Sequence, residues 1–265
     1  YGAFPLQPSS EVRGLPSIGV LHDLVGSMTL VMTAPSEHAS EVQLAVDAWL
    51  AFGGLGGRVR RGFGAVSARS GMCDARSVLA QVRALAQDRA HKPLPGVPSL
   101  VGAQLKVVDG RQSSLAALKA SLRKLRVMRQ GANVGRNPGP SPRQPKRSRW
   151  PEAEQIREIS RQSSPEHRAK IVNVKAFPRA AFGMPIIFHF KDGAKHGAQS
   201  TTEEPADSTL LPAGKNRRAS PLIIRPYRCA EDATRESGFG RLALVLTEEG
   251  RKSESVALNL KSGVR

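Results

Sequence analysis

The 265-residue sequence predicts an α+β fold, on three observations. Apolar, β-branched runs of strand length alternate with segments whose apolar residues recur at helical spacing. Clusters of glycine and proline separate these runs, as short surface connections require. Hydrophobic residues make up 40% of the chain, enough for a core in one large domain or two small ones.

Taken in order, residues 1–6 read as strand-like, and no secretory pattern precedes them. Because the chain opens at Tyr1 rather than Met, the expectation is that N-terminal sequence has been lost. Residues 27–33 read as a buried strand, punctuated by Gly26 and Pro35. A helix should follow, capped by Ser36 or Ser40 with Gln43 completing a capping box, and with Val42, Val46 and Trp49 on one face. Gly53 and Gly54 stop it. After a loop rich in glycine and arginine, residues 65–68 read as a short strand, which makes half of a split βαβ unit.

A second helix capped by Asp74 carries Val78, Leu79, Val82 and Leu85 before Pro93. Residues 100–108 read as a strand. Residues 115–129 form the clearest helix, with Leu115, Leu118, Leu122 and Leu125 as its seam and Lys119, Arg123 and Arg126 on its other flank. The segment that follows, through Trp150, is a Pro-rich surface loop. Residues 110–151 hold eleven Lys or Arg and no Asp or Glu. Pro151 is expected at the first position of a short helix through Ile159. Residues 184–190, 221–227 and 241–247 read as strands of a second α+β unit, and residues 193–214, without apolar periodicity, as a mobile surface loop.

Forty Lys plus Arg against 22 Asp plus Glu give a net charge of +18, which makes a polyanion the first partner to consider. No apolar run reaches the length of a membrane span, so no membrane partner is expected. Cys73 and Cys229 are too few and too far apart for a disulfide framework or a zinc site, which points to free thiols and a cytoplasmic setting, with no metal or cofactor.

The most informative segment runs Gly53-Gly54-Leu55-Gly56-Gly57-Arg58-Val59-Arg60-Arg61-Gly62-Phe63-Gly64. Six glycines in twelve positions are expected where the chain needs positive φ or close approach of another backbone. No G-K-[ST] follows, and the third glycine of a dinucleotide fingerprint is missing. Such a loop lets a sugar-phosphate backbone approach while guanidinium groups bind its phosphates, which makes Gly54, Gly56, Arg58, Arg60, Arg61, Gly62 and Gly64 candidate RNA contacts. The bland alternative is a sharp turn with solvated arginines. In the Pro-rich stretch, Arg147, Arg149 and Trp150, with Arg143 and Lys146, have the ingredients of single-strand RNA binding: cations for phosphates and an aromatic face for a base. There the alternative is a solvated linker with Trp150 tucked into the core.

The loop resembles the G-h-G-x5-G-h-G glycine loop of the RAMP superfamily of CRISPR proteins, as Gly54-Leu55-Gly56 and Gly62-Phe63-Gly64. Residues 48–64 more narrowly resemble subunit one of the type III-B (Cmr) RNA-targeting complex. Ser148-Arg149-Trp150-Pro151-Glu152 with Ile156-Arg157, then residues 181–186, then residues 217–222, are similar to that family's later blocks in the same order. The resemblance implies tandem ferredoxin-like (RRM-like) RAMP domains. The first, incomplete, would end with residues 1–72 and the glycine loop; the second would be residues 73–265 with a Pro/Arg-rich insertion near 130–151. It further implies contact with guide RNA near its 3′ end, with target RNA as a second candidate partner, and assembly with other RAMP subunits in antiviral RNA targeting.

Catalytic signals are poor. Metal-independent RNA cleavage needs a base for the 2′-hydroxyl and a cation for the phosphorane, and the six histidines are scattered without pairing. His189 alternates with Phe188 and Phe190 and reads as an outward or hydrogen-bonded structural histidine. Glu203-Glu204, Glu231-Asp232 and Glu248-Glu249 point to different faces wherever the chain is regular. The expectation is therefore a non-catalytic RNA-binding subunit; the alternative is a RAMP-fold endoribonuclease that processes guide RNA through a histidine.

Overall fold

The computed structural model describes residues 29–68, 73–141, 147–163, 177–190, 204–229, 233–234, 236–248 and 256–260. It is α+β. Helices α1 (Ala39–Phe52), α2 (Ala75–Asp88), α3 (Ser114–Gln130) and α4 (Glu152–Ser160) combine with strands β1 (Ser99–Gln112), β2 (Ile186–Phe188), β3 (Ser208–Pro212), β4 (Leu222–Arg228), β5 (Phe239–Thr247) and β6 (Val256–Leu260). Two three-stranded sheets form, in the orders β1-β5-β4 and β2-β3-β6. The chain divides into two interleaved units, residues 1–92, 100–126 and 223–245 against residues 93–99, 127–222 and 246–265.

In the first unit, β4 and β5 are neighbours in the sheet, with Cys229 N–H on Gly238 O at one end of the pair. Leu242 and Leu244 alternate inward on β5 and are buried, as are Ile223 and Ile224 on β4. Val78 and Leu79 of α2, one helical turn from the cap, are buried as well. Asp74 caps that helix as its sequence predicts, accepting from Ser77 N–H at 2.9 Å and Arg76 N–H at 3.3 Å, while Tyr227 Oη donates to the same carboxylate at 3.1 Å. Burial opposes the charge of Asp74, but these donors outweigh it and hold its pKa below the usual value.

Several local expectations are corrected. Residues 29–33 are not a strand but exposed, extended chain, with Val31 80% accessible. Residues 27–28 and the strand-like residues 1–6 lie outside the described residues. No capping box forms at α1: a 3-10 turn, Ser36–His38, leads in, His38 occupies the cap, and Gln43 donates to Asp47 Oδ1 instead. Residues 65–68 join no ladder, so the half βαβ unit is absent among the described residues. Helix α3 buries Ala117, Ser121 and Leu125, with Leu118 and Leu122 half-buried and Leu115 exposed, so the buried face is rotated from the leucine seam and shares only Leu125 with it.

In the second unit, β3 is the central strand, antiparallel to β2 (Phe188↔Ser208) and to β6 (Ser208↔Leu260). This corrects the expected mobile loop at 193–214, of which residues 193–203 lie outside the described residues. Ser208, Leu210 and Pro212 all point inward, but with one strongly apolar residue among the three their alternation is invisible to a hydropathy pattern. Ile186, Phe188, Phe190 and Leu210 pack with Ile156 of α4 and with Met184 and Ala180. Into this apolar cluster the chain places a carboxylate. Glu152, fully buried, accepts Arg179 N–H at 2.6 Å, and its second oxygen lies 3.2 Å from Arg179 Nε as an ion pair rather than an aligned hydrogen bond. The Arg179 guanidinium also stacks over Phe188 at 5.1 Å.

A buried pair of this kind is costly to break from one side, because the survivor keeps its charge without a partner. Glu152→Ala should cost about 3 kcal/mol in urea unfolding, whereas Glu152→Ala with Arg179→Met should recover much of that loss. Equal stability of the single and double variants would show that the pair carries no such coupling.

Candidate nucleic-acid interface

The glycine loop begins where α1 ends at Phe52, which is buried beside Ala51. It is closed at its neck by Leu55 N–H donating to Gly64 O at 2.8 Å. Gly64 has φ +65, and a Cβ there would lie 1.8 Å from Leu55 O, so only glycine closes the neck. Gly62 seats the loop on the sheet. A Cβ at Gly62 would meet Leu118 of α3 at 2.7 Å and the backbone of Ile224 and Arg225 on β4 at about 3 Å. Between them, Val59–Arg61 forms a 3-10 turn.

Below the neck lies a residue that sequence reading did not single out. Arg225 on β4 is 5% exposed, and its guanidinium donates to Gly53 O at 2.8 Å and to Val66 O at 2.7 Å, one carbonyl on each side of the loop. Among the described residues no carboxylate pairs with it; burial pushes its pKa down to about 10, and it stays charged at neutral pH. Arg228 donates in the same way to Ala68 O at 2.8 Å. Residues 65–68 are therefore tied to β4 through arginine side chains instead of a strand ladder. The signal available in sequence is a charged residue inside an apolar strand, Ile223-Ile224-Arg225-Pro226. Cys73, which donates to Asp47 O, is pushed up to about 11 by burial and by Asp47, so it is a thiol and not a thiolate.

The tip of the loop has a different character. Leu55, Gly56 and Gly57 are exposed, and a Cβ at Gly57 would meet nothing within 4 Å. Gly57 also lacks a positive φ, whereas the next residue, Arg58, has φ 61 and ψ 24. Arg58, Arg60 and Arg61 are half-buried, and Arg61 Nη1 donates to Arg60 O at 3.3 Å.

Of the second group of candidates, Arg143 and Lys146 lie outside the described residues. Arg147 and Arg149 are exposed and Trp150 is half-buried. The indole N–H of Trp150 donates to Arg129 O at 3.3 Å, and Arg149 Nη1 donates to Asn133 O. The loop is tied at its base by Asn137 N–H on Arg147 O and Arg149 N–H on Gly135 O. These residues belong to the second unit, the glycine loop to the first.

His189 is outward, 71% exposed, and its Nδ1 lies 2.8 Å from Asp207 Oδ2, in keeping with an outward, hydrogen-bonded histidine. Among the described residues no group of three or more His, Cys, Asp or Glu is placed to hold a metal ion. No helix there is long and apolar enough to cross a membrane. Compared with protein-family models, curated proteins and solved structures, the chain matches none.

Arg225 spans two carbonyls with one rigid fork, which a lysine cannot do. Arg225→Lys should cost about 2 kcal/mol in urea unfolding, and it should speed hydrogen exchange at the Leu55 amide. Unchanged exchange at Leu55 would show that the neck closes without the clamp.

Proposed function

We propose that the chain is a non-catalytic RNA-binding subunit of a type III-B CRISPR (Cmr) ribonucleoprotein. In this reading it has tandem ferredoxin-like RAMP domains and contacts guide RNA near its 3′ end beside other RAMP subunits in the cytoplasm. The observation that carries the RNA contact is the pair Gly57-Arg58. At Gly57 the fold has room for a side chain and an ordinary backbone, yet there is none. At Arg58 the backbone is left-handed, where glycine would be free of strain and a side chain costs roughly 1 kcal/mol. At Gly57 the residue choice is one the fold itself does not require, and an external backbone approaching Gly57, with its phosphate within reach of Arg58, accounts for it. The net charge of +18 supports an anionic partner, and the glycine loop and the ordered later blocks support the family.

Gly57→Ala should leave the unfolding temperature unchanged while weakening binding of single-stranded RNA about tenfold, equivalent to ~1.4 kcal/mol. Arg58→Gly should likewise weaken RNA binding without loss of stability. Wild-type affinity in both variants would remove the tip from the RNA interface. Co-expression with the other subunits of a Cmr complex tests the assembly: the chain should co-purify in an RNA-containing particle.

A second reading, a RAMP-fold endoribonuclease, is favoured by one observation, the exposed His189 oriented by Asp207. The two readings separate on repeat RNA with chelator present. The proposed function expects no cleavage, and cleavage abolished by His189→Ala would replace it.

A further inference from the structure

The longest helix of the first unit carries a cationic face that neither the glycine loop nor the Pro-rich insertion includes. On α3, Lys119, Arg123 and Arg126 are all exposed, and at 100° per residue they fall within an arc of about 60°, opposite the buried Ala117, Ser121 and Leu125. They extend about 10 Å along the helix axis. The helix contains no acidic residue, and among the described residues none of the three cations is in an ion pair. A solvated surface helix ordinarily interleaves opposite charges at i, i+3 and i, i+4. Here those spacings, 119/123 and 123/126, are occupied by like charges that repel until an anion neutralises them.

Position in the fold says which anion. Leu118, the residue before Lys119, packs against Gly62, so the cationic helix adjoins the base of the glycine loop within one unit. Leu115 and Val127 are the exposed apolar residues at the margins of the face, too little for a partner protein to bury as an interface core. We infer that this face of α3 is a phosphate-binding track for single-stranded RNA that continues from the glycine loop, with Lys119, Arg123 and Arg126 each meeting a backbone phosphate. The inference rests on the RNA-binding reading above and assigns three contacts that reading does not contain. Its chemistry is sequence-independent: charge supplies affinity, and bases are not read.

The test is a salt titration of the full chain with a labelled single-stranded oligouridylate. The variant Lys119→Gln/Arg123→Gln/Arg126→Gln keeps good helix formers in place, and melting confirms its fold. The charge-preserving variant Lys119→Arg/Arg123→Lys/Arg126→Lys is the structural control. With three contacts at about 0.7 per phosphate on a single strand, the slope of log K against log salt should become shallower by about 2 in the Gln variant and stay near wild type in the control. Failure of wild type to bind the oligonucleotide at all would sink the RNA-binding reading itself. Wild-type binding that is weakened by Arg58→Gly but keeps its full slope in the Gln variant would sink the α3 track alone. If poly-glutamate displaces the oligonucleotide as effectively as unlabelled RNA does, and loses that ability in the Gln variant, the face belongs to an acidic protein and the assignment is overturned.

Discussion

The glycine loop is presented as it is because a charged guanidinium is buried beneath it. Arg225 joins the carbonyl at the start of the loop, on Gly53, to the carbonyl just beyond its end, on Val66. A backbone–backbone ladder would satisfy those carbonyls only if residues 65–68 paired with β4. Arginine reaches them with the strands apart, which leaves the loop room to turn and close on itself through Leu55 and Gly64. The arrangement depends on the desolvated charge being satisfied by carbonyl dipoles, since among the described residues no carboxylate pairs with it.

The same solution recurs in the first unit. Arg83 of α2 donates to the carbonyls of Val101 and Ala103 on β1, and Arg228 to Ala68. The β1 edge of the β1-β5-β4 sheet therefore has an arginine donor at its backbone carbonyls, where an open strand would otherwise offer unpaired acceptors, while the arginines of β4 reach out to carbonyls of residues 53–68. The second unit draws on carboxylates as well as carbonyls: Arg157 pairs with Glu154 and Glu204, Arg179 with Glu152, and Arg218 with Glu248, while Arg149 and Arg218 also donate to the carbonyls of Asn133 and Ala180. With 40 basic and 22 acidic residues, the chain cannot pair every cation with an acid. Carbonyls take up part of the excess, and among the described residues cations such as Lys119, Arg123 and Arg126 stand exposed.

The candidate site was legible as a segment and illegible in its division of labour. Six glycines in one loop announced a special backbone, but four of them, Gly53, Gly54, Gly62 and Gly64, meet neighbours at under 3 Å from a Cβ position and so serve the loop's own closure and seating. Gly57 does not. Local sequence holds no mark that separates these roles, because the neighbours come from Trp49, Leu118 and β4 as well as from the loop itself. Trp150 shows the same limit. Its place beside basic residues suggested a stacking platform, while its indole N–H is held by the carbonyl of Arg129, twenty-one residues earlier in the chain.

By itself the sequence determined the α+β class, helices α1 to α4 and the Asp74 cap, strands β1, β2, β4 and β5 to within a few residues, and the cationic stretch that α3 opens. Each of these is written in residues close along the chain, as a 3.6-residue or two-residue periodicity or as a capping side chain. Tertiary structure decided the rest. It left residues 29–33 exposed although they have the composition of a buried strand, made Ser208–Pro212 a central strand although it lacks apolar alternation, and turned Leu115 outward on α3. It also put Arg225 under the glycine loop, 172 residues from Gly53. Propensity and periodicity fix what a segment is able to form, whereas burial and pairing depend on which distant surfaces close over it.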